Sequence, residues 1–336
     1  MFLAPLGSRS VTTLLRKVST VIILIWLAFG LAACTTFVKG GNEKANRPLS
    51  SAMLASLAKI GSSASEPMVI RVFKEEEQLE VWKRTKTGKY ALLKTYAICA
   101  QSGSLGPKIK EGDYQSPEGF YNITPGLMNP NSAYYLAFNI GFPNKFDRAL
   151  GRTGSNLMVH GDCKSVGCFA MTDAGIAEIY ALARETFKGG NPSFQIQIMP
   201  YRMTSAKLGL SAANEHLDFW KNIKEGYDIF ELTKTPPTWD VCEGKYIFNA
   251  NNRAPLDALG ACPAISRSPE LMALRAADDA AIARYHAASD RKVAEADALK
   301  ARSEAVNGAV SGFFGNIGNA FTGGAPVNTE TAAITP

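Results

Sequence analysis

Histidine is scarce in this chain, with three in 336 residues. Charge of one sign is lacking too: 36 Lys and Arg stand against 30 Asp and Glu, and with Arg9, Arg16 and Lys17 assigned to a targeting segment, 33 remain against 30. So small an excess excludes nucleic acid as a partner. The 29 Gly and 17 Pro keep no short period, which excludes collagen-like and repeat architectures. No Cys-x-x-Cys pair occurs, and no fourth ligand accompanies the one His/Cys cluster, so we expect no metal site and no cofactor. What is present is a chain 46% apolar and 10% aromatic, ample for a buried core and incompatible with wholesale disorder.

The start places Arg9, Arg16 and Lys17 before an apolar stretch, Val18–Ala33, broken by Ser19 and Thr20. That stretch is short for a membrane span, which needs about 20 residues, and reads as a secretory signal over 1–33. Leu31-Ala32-Ala33-Cys34 resembles the lipobox of bacterial lipoproteins, so Cys34 is the expected lipidation site and the anchor to a membrane, the outer membrane in preference to the inner. Residues 34–65, rich in Ser, Ala, Gly and Lys, read as a flexible tether with at most one short helix near Ser51–Lys59. Five further cysteines remain: Cys99, Cys163, Cys168, Cys242 and Cys262. In an oxidising compartment spare thiols pair, and an odd number leaves one free. Cys99 with Cys163 and Cys242 with Cys262 are possible pairs, although spacing does not fix the connectivity.

The body reads as mainly β with packed helices. Met68–Phe73, Leu79–Arg84, Tyr90–Cys99, Gly119–Thr124, Tyr134–Ile140 and Asn156–His160 are β-rich runs separated by turn residues. After Thr172, a plausible N-cap, Ile176, Ile179, Tyr180 and Ala183 form one apolar helical face that stops at Gly189-Gly190. Phe194–Ile198 alternates as a strand, and Thr204–Lys224 reads as one helix weakened by Gly209. These elements divide into a catalytic domain at 66–202, an extension packed on it at 203–262, an Ala- and charge-rich, mostly exposed helical arm at 263–310, and a Gly-rich disordered tail at 311–336.

The chemistry concentrates in Met158-Val-His160-Gly161-Asp162-Cys163-Lys164-Ser165-Val166-Gly167-Cys168, which follows a strand and opens a helix. A cysteine nucleophile needs a thiolate, and a nearby imidazole takes its proton. Gly161 and Gly167 allow sharp turns and close backbone approach. The helix after Cys168 is expected to lower the thiol's pKa and to favour an oxyanion. Three rival readings of the cluster are a zinc site, a structural Cys163–Cys168 disulfide in a wall-binding module, and a redox partnership of those two cysteines. His216 and His286 read as packing or surface residues. Lys108, Lys110, Lys145 and Arg148 read either as carboxylate-binding groups or as a solvated basic surface.

The segment resembles the signature of the L,D-transpeptidase (YkuD-type) catalytic domain, in its YafK-like branch, where His-Gly is followed closely by Ser-x-Gly-Cys. Ser116-Pro117-Glu118-Gly119-Phe120-Tyr121 matches the family's Ser/Thr-Pro-x-Gly-x-Phe/Tyr strand, and Asn139–Asn144 with Asp147-Arg148 is similar to the branch's loop before the histidine. The resemblance spans about Glu66 to Tyr246. It implies a β-sandwich-like catalytic domain and a cysteine acyltransferase acting on peptidoglycan stem peptides at a bond beside diaminopimelate. Carried over, Cys168 is the nucleophile and His160 the base. The Gly161 carbonyl orients the imidazole, and the N–H groups of Gly167 and Cys168 form the oxyanion hole. Ser165 and Arg148 fall on the substrate side, Ser165 as a structural group. Two departures reshape the acceptor side: Val166 and Ala170 stand at the general signature's His and Arg positions, and the usual insertion shrinks to Asp162–Lys164. The alternatives are therefore a hydrolase that frees peptides or a peptidoglycan-linked outer-membrane protein, and a non-catalytic wall-binding lipoprotein.

Overall fold

The computed structural model describes residues 43–321. The leader, Cys34 and the last part of the tail lie outside the described residues.

Met68–Phe73 (β1), Gln78–Arg84 (β2) and Tyr90–Ala97 (β3) form an antiparallel meander. Gly119–Ile123 (β4) does not join it directly. Phe194–Met199 (β9) runs parallel to β1 and antiparallel to β4, giving the order β3-β2-β1-β9-β4. A second sheet carries Met128–Asn129 (β5), Ala137–Asn139 (β6), Met158–His160 (β7) and Phe169–Ala170 (β8), with β7 and β8 parallel.

Both faces of the larger sheet are covered, because alternate side chains of a strand point to opposite sides. Ile70, Val72, Val81, Ile196 and Ile198 pack with Phe138, Val159, Phe169 and Ile176 in one core. Phe73, Phe120 and Met199 pack with Trp220, Tyr227, Val241 and Phe248 in another. Even Arg71 is buried on this second face, bonded to Gln197 at 3.1 Å and ion-paired with Glu231, its guanidinium over the rings of Tyr227 and Phe230. The sheets with packed helices and a long C-terminal helix match the expected fold class.

The segment read as a flexible tether is packed from residue 43 onward. Glu43–Asn46 (α1) and Ser51–Lys59 (α2) bury Ala45, Met53 and Leu57 in the first core. Ser50 caps α2 through the Met53 N–H at 3.1 Å. Arg184 donates to the Ala45 and Arg47 carbonyls, and buried Lys83 donates to Ala64 O at 2.9 Å. Few apolar residues are present there, but Ala45, Met53 and Leu57 fall on the face that is covered, while Leu54 stays exposed.

Lys145–Ala149 (α3) and Asp173–Lys188 (α4) follow. Thr172 caps α4 by accepting the Gly175 N–H at 3.0 Å, as its sequence position predicts. The single helix expected over 204–224 is two: Ser205–Leu210 (α5) and Leu217–Thr233 (α6). Between them the chain turns, with the His216 N–H on Asn214 Oδ1 at 2.8 Å and the His216 ring against Gly106, where a Cβ would stand 2.5 Å from it, and edge-on to Trp220. Trp239–Cys242 (β10) and Lys245–Phe248 (β11) form a ribbon over the second core. The final helix, Pro269–Phe321 (α7), continues past Val310 into the segment read as a disordered tail. As far as Phe314, its buried residues are Leu271, Asp278 and Ala281, all at the base.

Candidate active site

Strands β7 and β8 set the site. Their parallel register pairs His160 with Ala170 and Val159 with Phe169, so continuing it one step further back places Cys168 beside Met158. The Met158 N–H points at Cys168 Sγ at 3.4 Å, and the Sγ lies 3.7 Å from the Asn156 carbonyl oxygen. His160 and Cys168 therefore project to the same face from neighbouring strands, two positions apart.

His160 is buried, its Nδ1 lies 2.6 Å from the Gly161 carbonyl oxygen, and its ring packs on Tyr134 with centroids 4.8 Å apart. A carbonyl only accepts, so Nδ1 carries the proton and Nε2 is left with a free lone pair, the tautomer a base requires. Gly161 cannot be larger: a Cβ would stand 2.5 Å from Asp173 Oδ1 and 3.0 Å from Tyr134 O. Asp173, in the first turn of α4, accepts the Asp162 N–H at 3.0 Å and holds the turn after the histidine.

Asp162 and Cys163 both have positive φ, 69° and 39°, where side chains are strained. The Cys99–Cys163 disulfide pins this turn to the end of β3. A second disulfide, Cys242–Cys262, closes a late loop, and Cys168 is the free cysteine among the described residues. The Cys163–Cys168 disulfide considered as a rival is thus replaced by Cys99–Cys163, and the Cys163 sulfur is not available as a metal ligand. No group of three His, Cys, Asp or Glu among the described residues is placed to hold a metal ion.

Three serines grip the peptide units around Cys168. Ser165 Oγ donates to Cys168 O at 2.6 Å, and Ser116 Oγ to the same oxygen at 3.4 Å. Ser102 Oγ accepts the Gly167 N–H, and Gly167 sits at φ 96°, a conformation that favours glycine. Ser102 and Ser116 are also joined to each other, Ser116 N–H to Ser102 O at 3.1 Å and Ser102 N–H to Ser116 Oγ at 3.4 Å. Ser116 opens the motif strand, and Glu118 behind it is fully buried. Glu118 accepts from Lys74 at 2.9 Å, the Gly106 N–H at 2.7 Å and Trp220 Nε1 at 2.8 Å. A carboxylate so deep is tolerated because it is ion-paired and multiply hydrogen-bonded. Sequence reading missed Ser102 and the Lys74–Glu118–Trp220 network, for Ser102 lies in a polar loop with no pattern around it.

The expectation that α4 lowers the thiol's pKa is not met. Burial pushes the Cys168 thiol up, opposed by the Met158 N–H and the charge of Lys108. The α4 N-terminus begins five residues on and is spent on Thr172 and on Asp173 with Asp162. Lys108 is buried and ion-paired with Asp113. Although burial works against it, Asp113 is held down to about 2 by Lys108 and the Lys110, Ile109 and Gln115 N–H groups. Lys145 pairs with Asp240. Arg148, expected on the substrate side, is exposed on α3 and donates to Pro143 O, with no contact to the groups around Cys168. In the same helix Asn144 and Asp147 form a capping box, and Asp147 pairs with Arg152 at 3.0 Å, so this part of the motif builds structure.

No family model matches the chain. The protein provisionally named L,D-transpeptidase YafK in Escherichia coli K12 is 44% identical over 227 residues, which cover 67% of this chain and 89% of that protein; the counterpart in strain O157:H7 matches equally. Among solved structures, the helical cell shape determining protein Pgp2 of Campylobacter jejuni aligns at 17% identity, TM-score 0.33, over 56% of this chain and 79% of that one. Bd1075 of Bdellovibrio bacteriovorus aligns at 23% identity, TM-score 0.29, over 41% of this chain and 49% of that one. Structural likenesses so partial carry no weight in assigning a role.

Proposed function

The chain belongs to the L,D-transpeptidase family, in its YafK-like branch, and from that premise we propose that it is a cysteine acyltransferase acting on peptidoglycan stem peptides. The single observation that carries the reading is that the β7/β8 register sets a thiol outside the disulfides, Cys168, two strand positions from a buried imidazole whose Nδ1 is turned to the Gly161 carbonyl. In the proposed reaction, Cys168 Sγ attacks the carbonyl carbon of the bond beside diaminopimelate while its proton passes to His160 Nε2. The carbonyl electron pair moves onto oxygen. Collapse breaks the C–N bond, the leaving amine takes the proton from the imidazolium, and a thioester remains on Cys168. An incoming amine reverses these steps with new partners. Export and lipidation at Cys34 complete the proposal, and the two disulfides support an oxidising compartment.

The short 162–167 turn favours a second reading, hydrolysis. It is pinned by the disulfide and leaves Asp162, Lys164 and Val166 exposed, building no long wall for an amine acceptor. The experiment is mass spectrometry of the soluble protein, wild type and Cys168→Ala, with purified muropeptides and with peptidoglycan carrying bound protein. Cross-linked or amine-exchanged products lost in the variant are expected for transpeptidation, and net cleavage or protein release for hydrolysis. Identical behaviour of the two proteins, with no thioester mass on Cys168, overturns the enzyme reading in favour of a wall-binding protein.

A further inference from the structure

The two N–H groups expected to hold the acyl oxygen are not equivalent. The Gly167 N–H is already donated to Ser102 Oγ, whereas the Cys168 N–H has no partner among the described residues. A hydroxyl that accepts at its oxygen still carries its own proton, and the Ser102 proton has no acceptor within bonding distance among the described residues. Ser102 is half-buried, and its backbone is locked on both sides to Ser116, whose own hydroxyl meets Cys168 O. The oxygen is thus held one peptide unit from the nucleophile, with a free donor.

We propose that Ser102 is a catalytic residue of this site, whose hydroxyl donates to the acyl oxygen as negative charge develops on it, standing in for the Gly167 N–H. The proposal rests on the acyltransferase reading above. The Gly167 N–H polarises the Ser102 hydroxyl from behind, since hydrogen bonds in a chain strengthen one another. The Cys168 N–H supplies the second donor. No proton is transferred by Ser102; it carries the Gly167 dipole one bond further, to the acyl oxygen. Donors aimed at developing charge in a site closed to water accelerate acyl transfer strongly, because they need no reorganisation as the charge appears.

The test compares wild type, Ser102→Ala and Ser102→Thr in two reactions of the same thiol. One is turnover of a purified muropeptide, which passes through an oxyanion; the other is alkylation of Cys168 by iodoacetamide, which does not. The expected result for Ser102→Ala is a fall in kcat of about 100-fold, with KM and the rate and pH profile of alkylation unchanged. Ser102→Thr, which keeps the hydroxyl, recovers most of kcat. Equal losses in turnover and alkylation overturn the proposal in favour of a structural role. Turnover raised by Ser102→Ala overturns it too, by showing that the hydroxyl obstructs the site. If the wild type shows no Cys168-dependent turnover, it is the acyltransferase reading that fails, and the Ser102 proposal fails with it. Wild-type turnover left unaltered by Ser102→Ala defeats the Ser102 proposal alone.

Discussion

A cysteine proposed as a nucleophile sits where burial holds its proton on. The raised pKa of Cys168 favours the neutral thiol at rest, so in the proposed reaction the proton leaves during attack, and His160 Nε2 is the group assigned to receive it. We predict that alkylation of Cys168, followed by intact mass, accelerates with pH through a midpoint above the ordinary thiol value of about 8.5. A plateau already reached near pH 6 would instead identify a resting thiolate–imidazolium pair. Much of this site was legible in the residues. Scarce histidine beside two cysteines marked it, and the glycines marked where the backbone turns. Ser102 was not legible, because its role comes from a loop of about 20 residues folding back across Gly167, and nothing local in the chain encodes that return. Arg148 misled for a related reason: the motif around it builds a helix cap, and a motif match alone does not distinguish a residue that binds from one that supports.

At the scale of elements, strands read well where apolar and β-branched residues repeat, as in β1 and β9, and poorly where tertiary contacts decide. The break between α5 and α6 belongs to the second kind. So does the way α7 is held at its base, by Lys224 of α6 with Asp278 of α7 at 3.1 Å and with Asp228 at 2.6 Å. The charges do not balance, two carboxylates sharing one ammonium. Burial first, and then the nearness of Asp278 and Glu231, outweigh Lys224 and raise Asp228 to about 6. An unfolded aspartate titrates near 3.9. Between about pH 4 and pH 6 the folded chain therefore binds a proton that the unfolded chain has released, so the stabilising contribution of this group is full below pH 4 and is lost as pH rises through 6. Asp228→Asn removes that slope while leaving Lys224 its partner Asp278. Urea unfolding at pH 4, 5, 6 and 7 should show the variant gaining on wild type as pH rises; parallel curves would place the titration elsewhere.

For the whole molecule, the larger sheet is a shared wall, with the candidate site's core on one side and the C-terminal extension on the other. The Lys74–Glu118–Trp220 network passes through it, so the extension helps hold the loop that carries Ser102 and Ser116. The long helix contributes by its base only. Removing residues beyond Ala288, all of which are exposed as far as Phe314, should leave Tm within about 2 °C of the full chain. Removing the helix from Pro269 takes Leu271 out of the second core and Asp278 from Lys224. The loss of Leu271 burial alone is about 2 kcal/mol, or about 4–8 °C in Tm for a body of this size. Scanning calorimetry of the two truncations checks both values.

A helix of 53 residues is a rod about 80 Å long, and this one is fastened near one end to a body whose radius of gyration is about 17 Å. Two objects so joined do not tumble as one sphere. The body's rotation about the rod stays fast, while reorientation of the rod itself is slowed by drag along its length. In a confined space, the far end would meet surfaces that the body cannot touch, and the spacing of those surfaces would set which way the molecule can lie.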